Sequence, residues 1–220
     1  MQLFLDTANM NDIGNGIAVG CIRGVTTNPT IISREGRSLK VCIEEIVQLD
    51  PELTVLIEVV SVDTAGQVAE ARELIKLAPN AVIKIPMTGN GLAAVRILSA
   101  EGIPTAVTLV FSVNQAIAAV CAGANYIAPF VGRLDDIGAD GLSLVRSIKN
   151  VLNQHDLDVR IIFASVRSPQ AVAALFAAGS DIVTIPFSVR KKMLLHPLTD
   201  AGLLKFEEDW KSVPQQAATG

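Results

Sequence analysis

The chain predicts a (β/α)8 barrel, and three observations carry that prediction. Eight short β-type runs recur along it: QLFLD, RGVTTN, TVLIEVV, AVIKIP, PTAVTLV, NYIAPF, RIIFAS and DIVTIP. Between them lie Ala/Leu-rich segments such as TAGQVAEARELIKLA, GLAAVRILSAEG, SVNQAIAAVCAG and SPQAVAALFAAG, with apolar residues three and four apart, as in helices that pack one face on a sheet. The length, 220 residues with 50% hydrophobic composition, suits eight such units around one core. Alternating strands and helices imply parallel strands joined by right-handed crossovers. An open doubly wound sheet is the alternative, but its dinucleotide fingerprint is missing. GNG at 89–91 lacks the third glycine and stands where a helix simply begins, so it reads as a turn.

The first strand brings Asp6 to its C-terminal end, the second Asn28, the third Glu58, the fourth Lys84 and the fifth Thr108. The sixth brings Phe130 followed by Arg133, and the seventh Ser165 followed by Arg167. In a barrel of parallel strands this edge is where active sites form. The alternation of side chains puts Leu56 with Glu58 and Val82 with Lys84 on the inner face, and Ile83 and Ile85 on the helix layer. A lysine in this position has two readings. It can be a buried ion pair with Glu58 or Asp6, although interior pairs rarely repay the cost of dehydrating both charges. It can also be a nucleophile, because an ammonium stripped of water gives up its proton more easily and the neutral amine condenses with carbonyls. Position favours the nucleophile. Arg133, Arg167 and Ser165 together suit a phosphate, which a guanidinium fork binds through paired donors.

Other chemistry fits less well. The two histidines, His155 and His196, lie away from strand ends, so they build no multi-histidine metal site. The acidic loop with Asp135, Asp136 and Asp140 lacks calcium-loop spacing and is expected to cap the next helix. No metal is assigned. Cys21, Cys42 and Cys121 are far apart among small or apolar residues and are expected to be inert core thiols. A net charge of −4 with scattered Lys and Arg gives no footprint for nucleic acid or an anionic membrane. Without a bilayer-length apolar run or a signal-like start, the expectation is a cytoplasmic protein of one domain over residues 1–220. Past the eighth unit, Leu203, Phe206 and Trp210 form the stripe of an extra helix over 199–213, opened by a Thr199/Asp200 cap. That stripe either folds onto its own barrel, the simpler expectation, or crosses to a neighbouring subunit.

Seven ordered motifs, FLDTAN (4–9), GVTTNPTII (24–32), VIKIPMT (82–88), TLVFS (108–112), APFVGRLDDIG (128–138), ASVRSP (164–169) and KFEEDW (205–210), resemble the transaldolase family, in the short form grouped with fructose-6-phosphate aldolase. The resemblance runs nearly end to end. It implies a TIM barrel and a cofactor-free transferase that moves a dihydroxyacetone unit between sugar phosphates of the non-oxidative pentose phosphate pathway. It further implies Lys84 as the Schiff-base lysine, Asp6 as acid/base for the C4 hydroxyl, and Glu58 acting through a water that Thr108 helps orient. Asn28 would then hold the dihydroxyacetone portion, and Arg133, Ser165 and Arg167 the phosphate. Ring-built homo-oligomers, pentamers or decamers, are implied as well. Many transaldolases carry Asn where this chain has Ala106, which removes a hydrogen bond to the donor. The aldolase relatives carry Tyr and Gln where this chain has Phe130 and Glu58, so both positions match the transferase. A lyase that releases free dihydroxyacetone and a non-catalytic sugar-phosphate binder are the two alternatives.

Overall fold

The computed structural model describes residues 1–213, and the last seven residues of the expected domain, 214–220, lie outside the described residues. The eight expected strands are present. They are β1 (Gln2–Asp6), β2 (Gly24–Thr26), β3 (Thr54–Glu58), β4 (Ala81–Pro86), β5 (Thr105–Val110), β6 (Tyr126–Pro129), β7 (Arg160–Phe163) and β8 (Ile182–Ile185). All neighbouring pairs are parallel, and β1 pairs with both β2 and β8, which closes the barrel in sequence order. The helices are α1 (Met10–Val19), α2 (Pro29–Glu35), α3 (Leu39–Leu49), α4 (Thr64–Leu74), α5 (Gly89–Ala100) and α6 (Val113–Cys121). Then follow α7 (Val131–Asp136), α8 (Gly141–Gln154), α9 (Pro169–Ala177), α10 (Phe187–Met193) and α11 (Pro197–Lys211). The architecture is therefore a (β/α)8 barrel with a C-terminal helix, as the alternation predicts. Gly89 and Gly91 fall inside the first turn of α5, capped by Thr88, rather than in a free turn.

Two apolar layers result from the two-residue period of the strands. Phe4, Leu56, Val82, Ala106, Ala128, Ile162 and Ile182 fill the barrel interior. Leu5, Ile57, Ile83, Ile85, Val107 and Ile127 face outward and join the inner faces of the helices. Gly24 is where β2 admits the Phe4 ring: a Cβ there would sit 2.6 Å from both Phe4 Cε2 and the Thr54 carbonyl oxygen. The helix starts follow their local sequence. Asn28, Ser38, Asp63, Ser112, Asp140 and Ser168 each accept a hydrogen bond from a first-turn backbone N–H, which satisfies donors that the helix leaves open.

The C-terminal helix departs from expectation twice. Its cap is His196, whose Nδ1 accepts from Leu198 N, and the helix opens at Pro197, so Thr199 and Asp200 already lie in its first turns. Proline at the first helical position loses no intrahelical bond, which moves the start upstream of the expected cap. Nor does the stripe fold onto its own barrel: Leu203 is 62%, Phe206 69% and Trp210 62% exposed, and the helix has no buried residue. The cysteines also divide. Cys42 is buried, Cys21 is half-buried and Cys121 is exposed, because Cys121 ends α6 on the solvent side.

Candidate active site

Each inward polar group stands two residues beyond an interior apolar one. Asp6 follows Phe4, Glu58 follows Leu56, Lys84 follows Val82, Thr108 follows Ala106 and Thr184 follows Ile182, so they form the layer above the core. Together with Thr26, Asn28, Phe130, Arg133 and Ser165, they line one cavity of about 520 Å³ at the C-terminal mouth. Ala106 lies in the interior core and does not border this cavity.

Lys84 is 5% exposed and its surroundings are not simply apolar. Its Nζ lies 2.9 Å from Glu58 Oε2 and donates to the Thr27 carbonyl oxygen at 3.0 Å. The strand register sets up the pair, since Glu58 and Lys84 are directly opposed on β3 and β4. The ion-pair reading and the nucleophile reading thus meet in one residue. A carboxylate at this distance both compensates the buried ammonium and can take its proton. Asp6 stands on β1, separated from them by β2. Burial raises its pKa above the ordinary carboxylate value, opposed by the Thr26 hydroxyl, which donates to Oδ1 at 2.7 Å, and by the Lys84 charge, while Glu58 pushes it further up.

Asn28 is fixed by its role as helix cap. Its Oδ1 accepts from Ile31 N at 2.9 Å, which leaves the amide nitrogen to donate into the cavity. Thr108 carries a buried Oγ1 with no hydrogen-bond partner, at the edge of a register shift in which Leu109 takes φ of +60°. A buried hydroxyl without a partner, facing a cavity, is a place for a polar ligand group. Phe130 stands just past β6 as the residue before α7, packed edge-on against Phe111 with centroids 6.1 Å apart, and the Arg133 guanidinium lies 5.2 Å from its ring centre. Ser165 has φ of +64°, and its carbonyl oxygen comes so close to Gly132 that a Cβ there would sit 2.4 Å away. The strained turn after β7 and the missing side chain of α7 thus bring Ser165 and Arg133 to one wall.

The expected clamp is only partly assembled. Arg133 and Ser165 border the cavity, whereas Arg167 does not. Arg167 is exposed and forms a two-pronged pair with Asp136, at 2.5 and 2.7 Å, that raises its own pKa and lowers that of Asp136. Sequence reasoning missed several lining residues, among them Thr26, Thr184 and Arg34. The first two carried a signal, being strand-end threonines of inward parity. Arg34 carried none, because α2 is an insertion between β2 and α3 that strand periodicity does not reveal.

A lysine and two carboxylates at the mouth of a closed parallel barrel define a (β/α)8-barrel protein equipped for acid/base and amine chemistry. The transaldolase/fructose-6-phosphate aldolase family model matches residues 3–218, and the chain belongs to that family. Among its relatives, probable transaldolases of Thermoanaerobacter sp. (strain X514) and Aquifex aeolicus (strain VF5) are 50% and 49% identical. The first alignment covers 96% of this chain and 97% of the relative, the second 98% and 99%. A third, from Lactiplantibacillus plantarum, is 51% identical over 96% of this chain and 97% of its own. A crystal structure of 3-hexulose-6-phosphate synthase superposes with TM-score 0.65 at 14% identity, over 88% of this chain and 98% of that one, a likeness of fold.

Removing one partner of the Lys84–Glu58 pair leaves a buried charge uncompensated. Lys84→Met is expected to cost about 2–4 kcal/mol, below the cost for a sealed pair because Glu58 borders the open cavity, and Lys84→Met/Glu58→Gln to recover at least half of that cost. Urea unfolding of both variants and of Glu58→Gln alone checks it; a double-variant loss equal to the sum of the two single losses would mean the two side chains are not coupled.

Proposed function

We propose that the protein is a transaldolase working through a Schiff base at Lys84, and that it transfers dihydroxyacetone between ketose and aldose phosphates. The observation that carries this reading is the inward Lys84 Nζ, held 2.9 Å from a carboxylate in a cavity that Asp6 also lines. Nζ passes a proton to Glu58 and attacks the C2 ketone of fructose 6-phosphate or sedoheptulose 7-phosphate. Glu58 then supplies the proton with which the carbinolamine loses water. Asp6 removes the C4 hydroxyl proton, the C3–C4 bond breaks into the iminium, and an aldose phosphate leaves. The remaining enamine attacks the acceptor aldehyde, glyceraldehyde 3-phosphate or erythrose 4-phosphate, Asp6 returns its proton to the new C4 oxygen, and hydrolysis of the new imine ends the cycle. No cofactor takes part in these steps.

The order of strands supports a substrate lying across the mouth. Asp6, Asn28, Glu58 and Lys84 come from β1 to β4, while Arg133 and Ser165 follow β6 and β7 on the other half. The phosphate belongs with Arg133 and Ser165, and Arg167 joins it only by leaving Asp136. Transfer is favoured over release of free dihydroxyacetone because the Phe130 ring offers no proton to the enamine carbon. A cytoplasmic setting follows from these substrates, and among the described residues no helix is long and apolar enough to cross a membrane. The exposed stripe of α11 is the surface on which copies of this chain would assemble into a ring-built homo-oligomer.

Fructose 6-phosphate should yield glyceraldehyde 3-phosphate in a sustained way only when erythrose 4-phosphate is present. Borohydride added with the donor should leave a three-carbon adduct on Lys84, found by mass spectrometry. Sustained cleavage without acceptor would instead establish the lyase, and binding without turnover the non-catalytic alternative. Arg133→Ala should lower kcat/KM for phosphorylated acceptors by about ten- to a hundredfold and for unphosphorylated ones far less, since a charge-assisted hydrogen bond contributes about 1.5–3 kcal/mol. Arg167→Ala should do less than Arg133→Ala; the reverse order would place the phosphate with Arg167. Truncation before Pro197 should lower the number of copies per particle seen by light scattering, and an unchanged number would remove α11 from the assembly.

A further inference from the structure

Beside Asp6 the barrel holds a chain of hydroxyls that the reaction described above does not use. Thr26 Oγ1 lies 2.7 Å from Asp6 Oδ1 and 2.7 Å from Thr184 Oγ1. Thr26 is 3% and Thr184 0% exposed, on the two strands that flank β1. A hydroxyl has one proton to donate, and a carboxylate only accepts. While Asp6 is ionised, the Thr26 proton therefore goes to Oδ1, and the contact between the threonines must be filled by the Thr184 proton. If Asp6 is protonated on Oδ1, the chain can reverse, with Thr26 accepting from Asp6 and donating to Thr184.

Building on the proposed role of Asp6 as acid/base, we infer that Thr184 is a positioning residue that acts through Thr26, holding it as a donor to Oδ1 so that Oδ2 is the oxygen that meets the substrate hydroxyl. The remaining charged groups that face Asp6 are Lys84 on β4, which favours its ionised form, and Glu58 on β3, which opposes it. Both stay in place when Thr184 is changed, so the contribution of the hydroxyl chain can be isolated. Hydrogen bonds in series polarise one another, and loss of the far donor weakens the near one. The ionised carboxylate depends on that donor more than the protonated form does.

Thr184→Val keeps the branched shape and removes the hydroxyl. Carbon-13 NMR titration of the Asp6 carboxyl in the full chain reads the effect without requiring turnover. In Thr184→Val the midpoint should rise by about half a pH unit, on the order of what a fraction of one hydrogen bond contributes. Thr184→Ser should restore it, Thr26→Val should raise it further, and the double variant should match Thr26→Val, since Thr184 acts only through Thr26. In the transfer assay the acid limb of kcat/KM should move to higher pH by the same amount. An unchanged midpoint in Thr184→Val, or a double variant whose shift is the sum of the two, would overturn the inference. Should the valine variant fail to fold, Thr184→Ala supplies the same comparison. A titration shift in a protein that forms no imine at Lys84 would uphold the hydroxyl chain and sink the Schiff-base reading alone.

Discussion

The site depends on one geometric constraint, the two-residue period of strands closed into a barrel. Half of each strand's side chains must enter the interior, whose apolar cluster is Phe4, Leu56, Val82, Ala106, Ala128, Ile162 and Ile182. The next inward position along a strand is then at the mouth. That is where Asp6, Glu58, Lys84, Thr108 and Thr184 stand, and a polar residue one position earlier or later would lie among the helices. Gly24 belongs to the same constraint, since the Phe4 ring fills the space that a side chain on β2 would need.

Placing charge above an apolar floor creates an electrostatic problem that the register of β3 and β4 solves. Lys84 loses most of its water, and Glu58 is opposite it before any side chain adjusts. Dehydration makes such a pair a poor source of stability. It does, however, hold the amine 2.9 Å from a carboxylate. Asp6 differs because burial outweighs its hydrogen bond and the nearby cation, which raises its pKa above the ordinary carboxylate value.

The wall that carries Arg133 and Ser165 is made by loops and short helices instead of strands. Ser165 in a left-handed conformation, Gly132 with no side chain, and Phe130 beneath the Arg133 guanidinium form one surface after β6 and β7. Asp136, on α7 with Arg133, holds Arg167 away from the cavity. The two arginines therefore differ in availability although their sequence settings look alike. Arg34, on the short α2, adds a positive charge on the β2 side of the mouth.

Strand number, parity and the inward direction of Lys84 were legible in the sequence, because side-chain alternation and helix periodicity are local properties that a closed parallel barrel preserves. The motifs that resemble the transaldolase family were equally legible, and the family match over residues 3–218 agrees with them. Other features depended on distances between residues far apart in the chain. Examples are the Thr26–Thr184 contact across 158 positions, the capture of Arg167 by Asp136 across 31, and the approach of Lys84 to the Thr27 carbonyl across 57. The exposure of α11 and the start of that helix at Pro197 were also decided in three dimensions. An apolar stripe specifies that a helix must be covered, but whether its own barrel has a groove to receive it depends on the packing of every other helix.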